Sequence, residues 1–205
     1  MIIKIIIASL IIILGALLIK KFTSITKRHI RLRKKDIDGN YSANFAPHFP
    51  YQNTAILDLH AKGERYLFIG GNNQADKLFL LKDEQLIDVS EQVGLGNFHN
   101  NSYCAIAVDV NGNGLPDLFV ARRDGIYLYE NLQGIFNIKK LNINLADNHI
   151  PIFMAITDLQ KTGAVDLFLT TYCKSNKKKQ QTNNWQSFVF KNNGDNSFTE
   201  LPQIT

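Results

Sequence analysis

An all-β chain of about three four-stranded sheets, preceded by a transmembrane helix, is the fold this sequence predicts. Three observations predict it. A unit of about fifty residues recurs three times between residue 54 and the end. Each unit carries alternating or continuously apolar runs separated by Gly, Asn and Asp turns, a strand-and-hairpin pattern. No stretch beyond residue 21 holds a helical period over a useful length.

The first element is residues 1–21, with MIIKIIIASLIIILGALLI at their start. From Ile5 to Ile19 there is no charge. Fifteen helical residues reach about 22 Å at a rise of ~1.5 Å each. Ile2 and Ile3, with Lys4 snorkelling, lengthen the span toward a ~30 Å hydrocarbon core. A signal-peptide core is the rival reading, but the run ends in Lys20-Lys21 with no small-x-small cleavage site. An uncleaved anchor is the preferred assignment. Residues 22–37 follow as a basic juxtamembrane linker, suited to solvent or to anionic head groups. The basic block hugs the apolar segment, and the net charge of +5 owes much to it, so a nucleic-acid role is not expected.

Residues 38–205 hold the repeats, near 54–100, 104–148 and 153–205. Their anchor segments are AILDLHAKGERYLFI (55–69), IAVDVNGNGLPDLFV (106–120) and AITDLQKTGAVDLFL (155–169). Asp58, Asp109 and Asp158 align at spacings of 51 and 49 residues, each with a Gly five positions on: Gly63, Gly114 and Gly163. Leu-Phe-aliphatic follows each time. In the middle unit strands are expected near 104–109, 117–122, 125–130 and 135–141. Its Leu-Phe-Val-Ala run is apolar throughout, as a strand buried on both faces would be. Thirteen Phe and seven Tyr against one Trp suit pleated surfaces. Four-stranded sheets of this size, covered on both faces, are the blades of a β-propeller.

Asp-x-Asn-x-Asn-Gly-x-x-Asp-Leu-Phe-Val, followed by the hairpin of Tyr129, Asn131, Gly134 and Phe136, resembles the FG-GAP/VCBS-type repeat of integrin α-subunit-like propellers. Lys191-Asn192-Asn193-Gly194 with Phe198 repeats that hairpin. The resemblance covers roughly residues 50–205, and is most specific in the second unit. It implies a calcium ion in the loop between the first two strands of a blade. It also implies a role in adhesion, ligand binding or scaffolding, or attachment to an enzyme.

The residues argue for calcium on their own account. Calcium takes six to eight oxygens from carboxylates, amides and backbone carbonyls. Asp109, Asn111, Asn113 and Asp117 supply side-chain oxygens, and Leu115 its carbonyl. Gly114 permits the sharp wrap. No His or Cys is present, which argues against zinc. An EF-hand would need Glu at position 12, where Val120 stands. An Asx-rich turn without an ion is the plainer alternative. The third loop offers Asp158, Gln160, Thr162 and Asp166, with weaker middle donors. The first offers Asp58, His60, Lys62 and Tyr66, and its lysine places positive charge where an ion would sit. The expectation is one complete calcium site, one compromised and one lost.

Catalytic signatures are missing: no H-E-x-x-H pair, no G-x-S-x-G elbow and no phosphate loop. His99 and His149 precede the repeat Asp residues and read as inter-blade loop residues. Cys104 and Cys173 read as small buried apolar residues, with a disulfide open as an alternative. The third unit also carries TYCKSNKKKQQTNNWQS (171–187) where the second has only Arg122-Arg123-Asp124-Gly125. It reads either as a disordered loop or as a partner contact through Lys177, Lys178, Lys179 and Trp185.

Three blades are fewer than the usual four to eight. A truncated reading frame, self-association to close the ring, or cover by residues 38–53 would each deal with the exposed faces. The functional expectation is a membrane-anchored, calcium-stabilised, non-catalytic module binding a protein or glycan. The alternative is a fragment or accessory domain of a larger propeller-containing enzyme. Calcium favours an extracytoplasmic domain, whereas the Lys and Arg residues after the apolar run favour the opposite by the positive-inside rule.

Overall fold

The computed structural model describes residues 53–96, 101–146, 148–173 and 184–202. The anchor expected over 1–21 and the basic linker over 22–37 lie outside them. Among the described residues no helix is long and apolar enough to cross a membrane. The chain divides into two compact units, Met1–Asp38 and Gly39–Thr205. The described residues all belong to the second.

That unit contains twelve strands among its described residues, in three antiparallel meanders. The first sheet comprises β1 (Thr54–Leu57), β2 (Arg65–Ile69), β3 (Lys77–Lys82) and β4 (Gln85–Asp88). The second comprises β5 (Ser102–Val108), β6 (Asp117–Arg122), β7 (Gly125–Leu132) and β8 (Ile135–Lys140). The third comprises β9 (His149–Thr157), β10 (Asp166–Cys173), β11 (Asn184–Asn192) and β12 (Phe198–Glu200). Spatial order follows chain order in each, so every connection is a local turn.

The sequence places the middle strands within two residues of their observed bounds. Asp109 falls outside β5, because its side chain is used to cap the turn rather than to extend the ladder. In the first sheet the β3–β4 turn is Asp83-Glu84, with φ of 49° and 60°. Both residues lie in the left-handed region that a two-residue hairpin needs, without the usual glycine. The larger difference is in the third sheet. The segment 171–187 is not all loop: Thr171, Tyr172 and Cys173 pair with Gln186, Trp185 and Asn184. Their β-branched and aromatic side chains favour continuation of the hairpin. Trp185 is therefore a strand residue, edge-on to Tyr172 with ring centroids 5.8 Å apart.

The sheets stack face to face through two cores, and β6 serves both. All six of its residues are buried. Leu118 and Val120 join Phe68, Leu78 and Tyr129 against the first sheet. Phe119 and Ala121 join Leu167, Leu169 and Phe190 against the third. Successive strand residues point to opposite faces, so a continuous apolar run is what a sandwiched strand requires. Truncating one of these side chains, Leu118→Ala for instance, is expected to cost about 2–5 kcal/mol.

A buried ion pair fastens the first interface. Arg122 Nη2 lies 2.8 Å from Asp76 Oδ2, and both side chains are almost wholly enclosed. Tyr129 OH donates to the same oxygen at 2.6 Å, and Arg122 donates to Tyr129 OH. Ser102 Oγ and the Gly71 N–H donate to Asp76 Oδ1 at 2.7 and 2.8 Å. Every Asp76 lone-pair direction is thus used, which a buried carboxylate needs.

Candidate metal site

The turn joining the first two strands of each sheet has one backbone design. Asp109 Oδ1 accepts from the N–H of Gly112 and Asn113 at 2.9 and 3.2 Å, and Oδ2 from Gly114 at 2.8 Å. Asp158 accepts from Thr162 and Gly163 at 2.9 and 2.8 Å. Asp58 does the same with Lys62 and Gly63, at 3.0 and 2.5 Å. The recurring Asp and the Gly five positions later are two ends of one hydrogen bond. The fourth turn position is also left-handed in all three, at Ala61, Gly112 and Lys161, with φ of 53°, 73° and 55°. Only the middle turn has glycine there. Gly112 thus meets a conformation that favours glycine, which Ala61 and Lys161 adopt with a side chain.

A second layer separates the turns. Asp117 is fully buried and accepts from the N–H of Val110 at 3.0 Å and of Asn131 at 2.6 Å. The Asn131 amide donates back to the carbonyls of Pro116 and Leu59, at 3.1 and 2.8 Å. Its own oxygen accepts from Gly134 at 2.7 Å. Asp166 repeats the arrangement with Leu159 and Asn192, both at 2.9 Å. Asn131 and Asn192 are therefore structural partners of the candidate ligands. The sequence showed them only as parts of a hairpin motif. In the first sheet Tyr66 stands at this position, its hydroxyl donating to Glu64 at 3.0 Å.

The electrostatics follow this division. Burial pushes the Asp117 carboxyl above its ordinary value, and nearby Asp109 and Glu130 add to the rise. The Asn131 and Val110 N–H groups oppose it. Negative charge is thus crowded at the second turn. In the third sheet Lys191 occupies the register position of Glu130. There the Gly163 and Thr162 N–H groups hold the Asp158 carboxyl below its usual range. At Asp58, burial acts upward, but the N–H groups of Gly63 and Lys62 outweigh it and leave the carboxyl lowered. Burial and then Glu64 push the Tyr66 phenol up to about 12.

Asn111 and Asn113 each use their side-chain oxygen on a backbone N–H two residues on, at 3.1 and 2.8 Å. An amide or carboxylate oxygen has a second lone pair for a cation. Asp109, Asn111, Asn113, Asp117 and the Leu115 carbonyl lie in one turn and offer only oxygen donors, the donor type calcium takes. Among the described residues no three His, Cys, Asp or Glu side chains gather as metal ligands would. The turn offers two carboxylates, and its remaining donors are amide and backbone oxygens. Asp158, Gln160, Thr162 and Asp166 share the third turn, where the Thr162 hydroxyl accepts weakly from Ala164 N–H at 3.4 Å.

The other singled-out residues lie elsewhere. His60 packs edge-on to Tyr66, with ring centroids 5.9 Å apart, and lies so close over Gly134 that an added Cβ would meet its Cε1 at 2.2 Å. The first turn thus docks on the second sheet. Trp185 lies on β11, half exposed. Lys177, Lys178, Lys179 and His99 lie outside the described residues. Both thiols are free, and burial pushes that of Cys104 up to about 11. The sequence matches no protein-family model, and no curated protein is significantly similar to it.

Proposed function

We propose that this chain is a membrane-anchored, calcium-stabilised binding module for a protein or glycan, built from FG-GAP/VCBS-type β-propeller blades. The observation that carries the reading is the shared turn design together with its inequality. Three sheets use the same Asp–Gly scaffold, and only the turn of Asp109 to Asp117 sets two asparagine amides between its two carboxylates. A cation there offsets the burial and the Asp109 and Glu130 repulsion that together raise Asp117. Binding to the folded chain alone then adds stability of RT ln(1 + [L]/Kd). The ion's role in this reading is structural, and no catalytic step is assigned to these residues. A calcium-rich space outside the cytoplasm is the compartment that would keep such a site loaded. Thermal melting of the purified chain with and without Ca²⁺ tests the reading. A rise in midpoint that Asp109→Ala abolishes supports it. Identical curves with and without the ion count against it.

A further inference from the structure

We infer that the hollow between the second and third sheets binds the carboxylate and hydroxyls of an acidic sugar. The inference deepens the proposed binding role by naming its ligand class. The hollow measures about 490 Å³, within the ~300–1,000 Å³ of small-molecule sites. It lies where the β6–β7 turn meets the linker into β9. Arg123 and Asp124 come from the turn, Lys140 from the end of β8, Asn142 and Asn144 from the linker, and His149 from β9.

The charge favours an anion. Among the described residues no carboxylate pairs with the exposed Arg123 guanidinium. Asp124 is already engaged, accepting from Tyr127 OH at 2.6 Å and lying 3.8 Å from Lys140 Nζ. Among the described lining residues two cations, Arg123 and Lys140, stand against the one carboxylate of Asp124. Gly125 makes room for this, since a Cβ there would meet Lys140 Cε at 2.8 Å.

The polar groups favour hydroxyls. Along the linker Leu141 and Ile143 are buried while Asn142 and Asn144 are exposed. The two amides thus alternate with side chains anchored in the core, and half-buried Leu145 gives the hollow an apolar lining for a sugar ring's C–H face. Thr171 Oγ1 donates to the Gln186 carbonyl at 3.2 Å and lies 2.9 Å from His149 Nδ1, which fixes the imidazole at the hollow.

The matching place in the other interface is filled. By strand register, Asp76, Ser102 and Arg122 of the first interface correspond to Ile126, Pro151 and Thr171 of the second. The buried ion pair has no counterpart here, and the polar groups stand at the rim instead.

The test is ligand-observed NMR titration of the purified full chain with methyl β-glucuronoside, methyl β-glucoside and inorganic phosphate. The glucuronoside is expected to bind at least tenfold more tightly than either of the others. Arg123→Gln should lose at least tenfold, and Asn144→Ala a smaller factor. Equal binding of the glucoside, equal binding of phosphate, no binding of the glucuronoside, or an unchanged Arg123→Gln would each overturn the inference. Arg123 is exposed, so its variant should keep the wild-type melting curve and calcium response. That separates the two claims. A chain that responds to calcium but ignores the glucuronoside loses this inference alone, and one that does the reverse loses the calcium reading alone.

Discussion

Asp58 and Asp109 hold the same place in their turns and share two bonds, each carboxylate accepting from the backbone N–H groups four and five positions on. Eight residues after them the turns diverge. Asp117 is a buried carboxylate tied to two backbone N–H groups, whereas Tyr66 holds a surface glutamate. The difference teaches that the repeated Asp is a folding device first. A carboxylate that caps a turn is needed with or without an ion, so it persists beside Lys62. What distinguishes the middle turn is the second carboxylate and the two amides between.

The comparison can be broken at four points. The largest effect is expected from Asp117→Ala, which strands two buried N–H donors. It should lower unfolding free energy by about 2–4 kcal/mol even in chelator. Tyr66→Phe, losing one half-buried hydrogen bond, should cost about 0.5–1.5 kcal/mol. Denaturant melts of both variants decide this, and equal losses would remove Asp117 from its structural role.

Next comes calcium itself. At one hundred times Kd it should add about 2.7 kcal/mol to the wild type and to Asp58→Ala, and nothing to Asp109→Ala. The same melts, repeated with calcium, read that increment. A smaller effect, about 1–3 kcal/mol, is expected for Gly134→Ala, because its Cβ would collide with His60 and its φ is +98°. Adding His60→Ala should restore the part due to collision. No restoration would mean that the first turn does not dock there.

The smallest effect is a pH dependence at Asp58. Its folded carboxyl is lowered, so its contribution is present above the ordinary aspartate range. That contribution is lost as pH falls through the lowered value. The gap between wild type and Asp58→Asn should therefore narrow on acidification. A gap that is constant or widens toward low pH contradicts the assignment.

Much of this was legible in the sequence, for physical reasons. Asp–x4–Gly spacing is readable because one hydrogen bond joins its ends. Leu118 to Ala121 are readable because a strand covered on both faces must be apolar throughout. The roles of Asn131 and Asn192 were not, since their bonds to Asp117 and Asp166 span 14 and 26 residues. Nor was the Asp76–Arg122 pair, which joins two sheets across 46 residues. Trp185 was misplaced in a loop because the run of lysines and glutamines beside it hides the strand that resumes at Asn184.

Calorimetric titration of the purified chain with Ca²⁺ tests the central claim most directly. The account predicts a dominant site at one ion per chain, retained in Asp58→Ala and lost in Asp109→Ala. Absence of binding heat, or an Asp109→Ala protein that titrates like the wild type, would contradict it.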